Sequence, residues 1–524
     1  MNKNQAKKYK LFLINPAQKH RHYVTQVGMS QMLGKVNSMP PLSLPTVASL
    51  TPDNYDIRII DEQLESIPTN EKPDLVGITT LSSTYSRAFE IADYYKSLNI
   101  PVVLGGSYIS YMVEEGLKHA SSIVKGEAEG AWDKCLTDFE RGEMNGVYEA
   151  NPKTEFKTQP FPRWDLVDID KFVSIGVQAT RGCPFHCEFC LVSELFGHKM
   201  RFRDVDNVID EINRLPVNKI LFVDDNLTFN KKFARELMQK LKPLNITWVC
   251  QCSIDIADDD ELLTQMAEAG CFQLLIGFES LNTSSLDETN KSQNKIAQYE
   301  AAIERIHSKG IHVLASFVVG FDHDYEEEFN HIFNFTQRNN LVYSMLSILE
   351  CSPGTKLFFR LQEEGRWYGS RPGLGGGMTP NMHYMNFTQR EIFDKYYETV
   401  QRLMSFENMG ERAINLFSKG YFNRNRESKE NMTIAFKFRV VMSILKAFVF
   451  SKDKVKKDLF KKLFKLFREK RLAVDELVIF LISIEGYNRH IASIIADKEN
   501  FYEKIKQVDK GAWINQIKTK EATI

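Results

Sequence analysis

Three cysteines close together in the sequence are the residues best placed to do chemistry. Cys183, Cys187 and Cys190 have the spacing CxxxCxxC and come directly after an apolar, β-rich run at residues 172–180. Soft thiolates at this spacing on one loop can each bind one iron of a 4Fe–4S cluster, which leaves the fourth iron open to a substrate or a second cofactor. A structural zinc site, formed by the same cysteines with His186 or His198, is the alternative.

The composition excludes several classes of protein. The chain has 524 residues, of which 43% are hydrophobic, so it can form roughly three domains with buried cores. Its 67 basic and 68 acidic residues nearly cancel, which gives no general case for nucleic-acid binding. The apolar run at 11–14 is too short for a signal-peptide core, and no uninterrupted run is long enough to predict a transmembrane helix. The other cysteines are scattered, which is typical of core residues in a reducing cytoplasm.

The N-terminal part of the chain alternates short apolar runs with helical patterns. The apolar runs lie at residues 11–14, 56–61, 75–80, 102–106 and 122–126. This alternation predicts a parallel, doubly wound sheet, in which ligands bind beyond the carboxyl ends of the strands. Small and polar residues occupy those ends: Asn15, Thr79, Ser82, Gly105, Gly106, Gly126 and Glu127. No GxGxxG follows the first strand, which disfavours a dinucleotide, and a scaffold without a ligand is the simpler alternative.

A second alternating region follows a linker rich in proline and polar residues. Its six strand-like runs lie at residues 173–180, 220–224, 246–253, 272–278, 313–320 and 342–349. Six strand–helix units predict an incomplete (β/α)6 barrel, with an active site at the C-terminal ends of the strands. Polar residues collect at those ends: Asp224, Asp225, Asn226, Gln251, Ser253 and Glu279. Each of them can equally cap the next helix, so the set is stronger evidence than any one member.

These features together resemble a known family of enzymes. Segments 178–190, 222–227 and 254–263 are similar to those of radical S-adenosylmethionine (SAM) enzymes with a cobalamin-binding domain, in particular the hopanoid and lipid C-methylase branch. A proline-rich segment at 40–48 adds to the likeness, which spans about residues 10–400. The resemblance implies a 4Fe–4S cluster that cleaves SAM reductively, and cobalamin as the methyl donor.

The resemblance also implies roles for the residues at the strand ends. SAM would be held beside the cysteines by Phe189, Asp224, Asp225, Asn226, Gln251, Ser253 and Glu279. Cobalamin would be held at the N-terminal sheet by Asn15, Thr79, Ser82, Gly105, Gly106, Gly126 and Glu127. The chain lacks the Asp-x-His-x-x-Gly motif of cobalamin mutases, and residues 107–110 replace the Pro-His-x-Thr that many relatives have. Cobalamin is therefore inferred from the family alone.

The region after the barrel is predicted to be helical. Residues 451–471 carry ten Lys or Arg against three acids, with Leu459, Phe460, Leu463, Phe464 and Phe467 at helical spacing. This pattern is typical of a helix on a membrane surface, and also of a helix that packs its apolar stripe onto its own domain. The apolar segment 434–450, interspersed with basic residues, favours a lipid-facing surface. A glycine-rich loop is predicted at 371–377.

The sequence thus predicts an α/β protein of three domains and a linker. The parts are a Rossmann-like, cobalamin-binding-type domain (1–148), a linker (149–172), a partial radical SAM barrel (173–395) and a helical domain (396–524). The predicted function is cobalamin-dependent C-methylation of a hydrophobic or lipid-like substrate in the cytoplasm, with a flavodoxin- or ferredoxin-like reductase as electron donor and peripheral membrane contact. Two alternatives are radical C–C coupling or cyclisation without cobalamin, and a non-enzymatic iron–sulfur carrier or zinc-stabilised binding module.

Overall fold

A six-stranded parallel sheet forms the N-terminal part of the protein. The computed structural model describes residues 8–18, 30, 32–149, 156–291, 293–369, 377–423 and 434–506. The strands of the first sheet are β1 (Tyr9–Asn15), β2 (Tyr55–Asp61), β3 (Leu75–Thr79), β4 (Val102–Gly105), β5 (Ser122–Lys125) and β6 (Gly146–Glu149). Their order is β2-β1-β3-β4-β5-β6, and every pair is parallel. The strand order reverses between β1 and β3, which places a crevice at the carboxyl ends of those strands.

Alternate residues of β1 explain why this sheet is covered on both faces. Phe12 and Ile14 pack into one apolar layer, whereas Leu11 and Leu13 pack into the layer on the opposite face. The covering helices are α1 (Ser43–Ser49), α2 (Tyr85–Ser97), α3 (Val113–His119) and α4 (Trp132–Arg141). The predicted doubly wound sheet is confirmed. The sixth strand was not predicted. It lies at the edge of the sheet, where Val147 is 41% exposed, and its sequence therefore has no continuous apolar run.

The second sheet is the predicted six-stranded partial barrel. Its strands are β7 (Ile175–Val177), β10 (Lys219–Phe222), β11 (Thr247–Cys252), β12 (Cys271–Glu279), β13 (His312–Val319) and β14 (Tyr343–Ile348), and a separate antiparallel pair is formed by β8 (Thr180–Arg181) and β9 (Arg201–Phe202). The six strands are all parallel and follow chain order from β7 to β14. The helices of this region are α5 (Val192–Phe196), α6 (Val205–Arg214), α7 (Lys231–Leu241), α8 (Asp260–Glu268), α9 (Thr283–Glu288), α10 (Tyr299–Ser308) and α11 (Glu327–Arg338). Parallel strands joined by helices put every loop that follows a strand at one end of the barrel.

Local sequence signals account for the ends of α8. Asp259 accepts a hydrogen bond from the backbone N–H of Leu262 and caps the helix, as the acidic run 258–261 predicts. Gly270 follows the helix with a φ of 94°, and a Cβ on it would lie 1.9 Å from the carbonyl oxygen of Ile246. Only glycine fits this turn from helix to strand.

The C-terminal region is helical, as predicted. Its helices are α12 (Lys356–Glu363), α13 (Gln389–Met404), α14 (Phe406–Ser418), α15 (Ile434–Ile444), which continues into a π-helical turn at Leu445–Val449, α16 (Lys454–Arg468), α17 (Val474–Ala496) and α18 (Lys498–Ile505). In the basic helix α16, Leu459, Leu463 and Leu466 are buried, so most of the apolar stripe packs onto its own domain, while Phe464 is 42% exposed. The predicted loop at 371–377 lies almost entirely outside the described residues.

Among the described helices, α17 is the one long and apolar enough to cross a membrane by its length and composition. Half of its most apolar window is buried inside the protein, and a core helix has the same features. Glu485 of this helix pairs with Lys456 of α16 at 2.8 Å and with Arg489 of its own helix. These charged residues interrupt the apolar run, and for that reason the sequence did not predict a spanning segment.

Candidate active site

The loop that carries the three cysteines connects β8 to α5 at the C-terminal end of the barrel. Backbone contacts restrain it: the N–H of Cys190 donates to the carbonyl of Cys187 at 3.1 Å, and the N–H of Glu188 donates to the carbonyl of Thr289 at 3.1 Å. Cys187 is buried, and Cys183 and Cys190 are partly buried. The loop therefore has a defined conformation that brings three thiols to one end of the barrel.

The surroundings of the cysteines suit an iron–sulfur cluster. Burial raises the pKa of the thiols of Cys183 and, to about 11, of Cys190, while backbone N–H groups of Phe185 and Val192 act in the opposite direction. The side-chain amide of Gln293 lies 3.8 Å from the sulfur of Cys187. Hydrogen bonds of this kind to thiolate sulfur are a feature of iron–sulfur sites.

The geometry is less favourable to a single metal ion. Among the described residues, no three His, Cys, Asp or Glu side chains come close enough together to hold one ion. His186 and His198, the additional ligands of the zinc alternative, stack on each other with ring centroids 3.9 Å apart. Separated thiols match a cluster in which each cysteine binds a different iron better than they match a tetrahedral zinc site.

The residues after β10 divide into two roles. Asp224 is 2% exposed, and its carboxylate accepts hydrogen bonds from the backbone N–H groups of Ala179, at 3.1 Å, and Thr180. Burial raises its pKa to about 6. Asp224 thus holds the chain just before the cysteine loop, which is a structural role. The pKa of Asp225 is raised to about 7 by burial and by Asp224, and its charge in turn raises the pKa of Cys183.

Asn226 and Ser253, predicted on neighbouring strands, are brought together. The amide nitrogen of Asn226 donates to the hydroxyl of Ser253 at 2.7 Å, and the amide oxygen of Asn226 is buried without a hydrogen-bond partner. The amide oxygen of Gln293 is in the same situation. Both oxygens can accept hydrogen bonds from a ligand. Gln251, also predicted at this site, is exposed at the end of β11.

Glu279 ends β12 in a backbone conformation that is uncommon for a residue with a side chain. Its φ is 63°, in the left-handed region, at a β-bulge between β12 and β13. Such a conformation is costly for a residue with a side chain and is concentrated at functional sites. Its carboxylate pairs with the ammonium of Lys291 at 2.8 Å, and both side chains are nearly buried.

Lys291, like Gln293, is a residue of this site that the sequence did not reveal. Burial acts to lower its pKa, but the charges of Glu279 and Cys187 outweigh burial, so the pKa stays above its usual value. Its ammonium also lies 6.0 Å from the centre of the Phe189 ring, and that ring packs against Phe321 as well. A lysine in a polar stretch after a short helix carries no sequence signal of its own, and its role depends on contacts between distant elements.

A cavity lies at the carboxyl edge of the first sheet. It has a volume of about 280 Å³ and is lined by Thr79, Gly105, Gly106, Gly126 and Glu127 among the predicted residues, together with apolar side chains such as Leu13, Val103 and Trp132. Gln178 and Arg181, which precede the cysteine loop, form part of its wall. Histidine is absent from its lining among the described residues. The cavity therefore lies between the two sheets and suits a mostly apolar group.

Two residues predicted for this cavity do not line it, and a third has charged partners. Asn15 is buried and donates to Asp61 at 3.0 Å, and neither Asn15 nor Ser82 lines the cavity. Glu127 lines the cavity, but its carboxylate pairs with Arg181 at 2.8 Å and with Arg201. Glu127 therefore joins the first sheet to the barrel.

A larger cavity is remote from this chemistry. It has a volume of about 630 Å³ and lies at the opposite, N-terminal ends of β11 to β13, where Thr247, Gly270 and Gly310 line it. Its position at the bottom of the barrel separates it from the cysteine loop.

Comparison with known proteins gives a consistent result. Residues 177–336 match the radical SAM superfamily, and residues 355–500 match a domain of unknown function, DUF4070. The chain is 30% identical over 341 residues to bacteriochlorophyllide d C-12(1)-methyltransferase of Chlorobaculum tepidum, which covers 63% of this chain and 75% of the relative. It is 26% identical over 344 residues to hopanoid C-2 methylase of Rhodopseudomonas palustris, with coverages of 63% and 65%.

A solved structure has the same fold. The radical SAM methyltransferase TsrM of Kitasatospora setae, solved with cobalamin and a 4Fe–4S cluster, superposes with a TM-score of 0.54 at 16% sequence identity. The superposition covers 70% of this chain and 80% of TsrM. At this identity the likeness concerns the arrangement of the elements.

Replacing Cys183, Cys187 or Cys190 by alanine is expected to prevent stable assembly of an iron–sulfur cluster, because each removes one of three thiolate ligands. The measurement is iron and sulfide per chain after anaerobic reconstitution. Cys271→Ala is the matched control, since Cys271 is buried at the opposite end of the barrel. Wild-type protein that binds zinc and no sulfide would contradict the cluster assignment.

Proposed function

This chain belongs to the radical SAM superfamily, and from that premise we propose that it methylates an unactivated carbon of a hydrophobic substrate with the help of cobalamin. The observation that carries the proposal is the meeting of two sites at one place. One site is the cysteine loop, with Lys291, Asp225 and Glu279 around it. The other is the cavity of the first sheet, and Arg181, two residues before Cys183, forms part of its wall. Two cofactors that act on one substrate need such neighbouring sites.

When bound, the cluster and cobalamin supply an electron for the cleavage of SAM and a methyl group for the substrate. The three cysteines would hold the cluster. Lys291 is the cation beside them that can pair with the carboxylate of SAM, and Asp225 and Glu279 are the anions that can accept from its ammonium or ribose hydroxyls. Phe189 provides an aromatic surface for the adenine.

The cavity of the first sheet is the proposed site for the nucleotide tail of cobalamin. Glycines at the ends of β4 and β5 leave room at its rim, because no Cβ fills the space there. Apolar walls favour a planar base over a charged group. Thr79, Gly105, Gly106 and Gly126 would hold the tail against these walls.

The division of the chain into domains remains part of the proposal. Residues 1–148 would bind cobalamin, 173–395 the cluster and SAM, and 396–524 would complete the barrel and face the substrate. A small one-electron donor of the flavodoxin or ferredoxin type would reduce the cluster.

An exposed apolar face on α15 supports a hydrophobic environment for the substrate. Ile434, Phe438, Val441 and Met442 are 43–87% exposed and recur at one-turn spacing, and Phe450 is 72% exposed beyond them. Lys437 and Lys446 are exposed on the same segment, and Lys461 and Lys465 on α16. Apolar side chains flanked by cations match the surface of an anionic bilayer, so we propose peripheral membrane contact here.

Lys291→Gln is expected to weaken SAM binding at least about tenfold, because it removes a nearly buried cation and leaves Glu279 unpaired. Equilibrium dialysis of labelled SAM against reconstituted protein measures the effect. Lys309→Gln, which breaks the Lys309–Asp260 pair at the other end of the barrel, is the control. An unchanged SAM affinity with the cluster intact would exclude Lys291 from the site.

The proposed reaction is tested by the corrinoid content of protein purified without oxygen from cells supplied with cobalamin. We expect near-stoichiometric corrinoid in the wild type. Gly105→Leu should lose the corrinoid and keep the cluster iron, because Gly105 lines the cavity and a leucine side chain there would fill part of it. Val147→Leu on the exposed edge strand is the control. A wild type that cleaves SAM without corrinoid would favour the coupling or cyclisation alternative.

Phe438→Ser combined with Phe450→Ser is expected to lower the affinity for anionic vesicles at least about tenfold, because it removes two aromatic side chains from the contact. The assay is co-sedimentation with phosphatidylglycerol vesicles, compared with phosphatidylcholine vesicles. Tyr325→Ser, at an exposed aromatic residue on another surface, is the control. Equal binding of the double variant and wild type would contradict a membrane role for this face.

A further inference from the structure

We infer that the start of the domain of unknown function acts as a clamp on the cysteine loop, with Arg360 of α12 as its positioning residue. The inference rests on the proposed function, because the loop is the one expected to hold the cluster. Arg360 lies within residues 355–500, the segment that matches DUF4070, and outside the radical SAM match. The clamp gives this segment a role in the chemistry of the barrel.

The contact is made to the residue in the middle of the cysteine motif. Glu188 lies between Cys187 and Cys190, and its carboxylate accepts hydrogen bonds from Nε and Nη2 of Arg360, at 2.8 Å and 3.3 Å. The backbone N–H of Leu357, also on α12, donates to the carbonyl of Glu188 at 3.1 Å. The N–H of Glu188 is held from the other side by the carbonyl of Thr289. Every polar group of Glu188 is thus engaged, and α12 supplies two of the three contacts.

Arg360 is itself held in place by other carboxylates. It pairs with Asp322 after β13 at 2.9 Å and with Glu288 of α9 at 3.2 Å. Asp322 is bound in turn by the buried Arg366. Burial and the nearby Asp322 raise the pKa of Glu288 to about 7, and Arg360 opposes that effect. One guanidinium therefore balances the negative charge of carboxylates from three different segments. These contacts hold the guanidinium in one position.

The clamp matters for the cluster because of where it acts. A loop that must place three thiolates loses conformational entropy when the cluster binds, and a loop already restrained loses less. Without Arg360, the carboxylate of Glu188 would be uncompensated between two anionic ligands. Arg360 therefore favours cluster binding both by ordering the loop and by neutralising charge.

The first measurement is hydrogen exchange of the backbone amides of Cys187 to Cys190 in the full-length protein before cluster assembly. Faster exchange is expected in Arg360→Gln and in Glu188→Gln than in the wild type. Arg390→Gln, which breaks a surface pair with Glu499 in the same region, is the control and should leave this exchange unchanged. Unchanged exchange in both test variants would overturn the clamp.

The second measurement is the rate at which a chelator removes iron from the reconstituted proteins. Each single variant is expected to lose its cluster about tenfold faster than the wild type, and the double variant no faster than either single, because both act through one contact. Rapid loss in Arg360→Gln with wild-type stability in Glu188→Gln would mean that Arg360 only supports the fold of α12. Glu188→Gln leaves Arg360 its other carboxylates, so it reports on the clamp even where Arg360→Gln fails to fold.

The cluster potential adds a readout that a purely structural role would not move in this way. Loss of a cation near the cluster favours its oxidised form and loss of an anion favours its reduced form, so Arg360→Gln should lower the midpoint potential and Glu188→Gln should raise it. Shifts of the same sign would contradict the clamp. A wild type that assembles no cluster but shows a protected loop would sink the proposed function and leave the clamp standing.

Discussion

Buried ion pairs at the junction of the two sheets hold the segment from which the cysteine loop starts. Arg181, two residues before Cys183, pairs with Glu127 at 2.8 Å and with Glu129 at 3.0 Å, and each of these side chains is at most 10% exposed. Charges taken out of water are costly unless they are well paired, and breaking one such pair costs roughly 3–5 kcal/mol. The loop has no regular secondary structure of its own, so these pairs, with Asp224 and Arg360, decide where its thiols lie.

The elements of both sheets were predictable because they depend on local patterns. Apolar runs identified all six strands of the barrel and five of the first sheet, and the spacing of the cysteines predicted their chemistry before any contact was known. The sixth strand of the first sheet was missed because its pairing with β5 supplies what its own sequence lacks. The helical end of the chain was predicted in outline from composition, and its buried helix α17 is recognisable only from its packing.

The polar residues of the site were predictable as a set and not as individuals. Asp224 and Asp225 are neighbours in the sequence, yet Asp224 binds backbone N–H groups, whereas the charge of Asp225 raises the pKa of the Cys183 thiol. Nothing in their order distinguishes the two. Lys291 and Arg360 were missed because each acts through a partner on a distant segment, Glu279 and Glu188. Glu127 lines the predicted cavity, but its two arginine partners on distant segments could not be seen in the sequence.

Arg181, which pairs with both Glu127 and Glu129, limits how far the two cofactor sites can move relative to each other. Glu127 and Glu129 belong to the first sheet and Arg181 to the chain that leads into the barrel, so the two units cannot separate without stripping partners from three nearly buried charges. A hinge motion that separated them would cost several kcal/mol. This cost favours a constant distance between the two sites through a catalytic cycle. The substrate or a small side chain is then the part that moves, and the choice of methylated carbon depends on how the substrate is bound and less on the spacing of the sites.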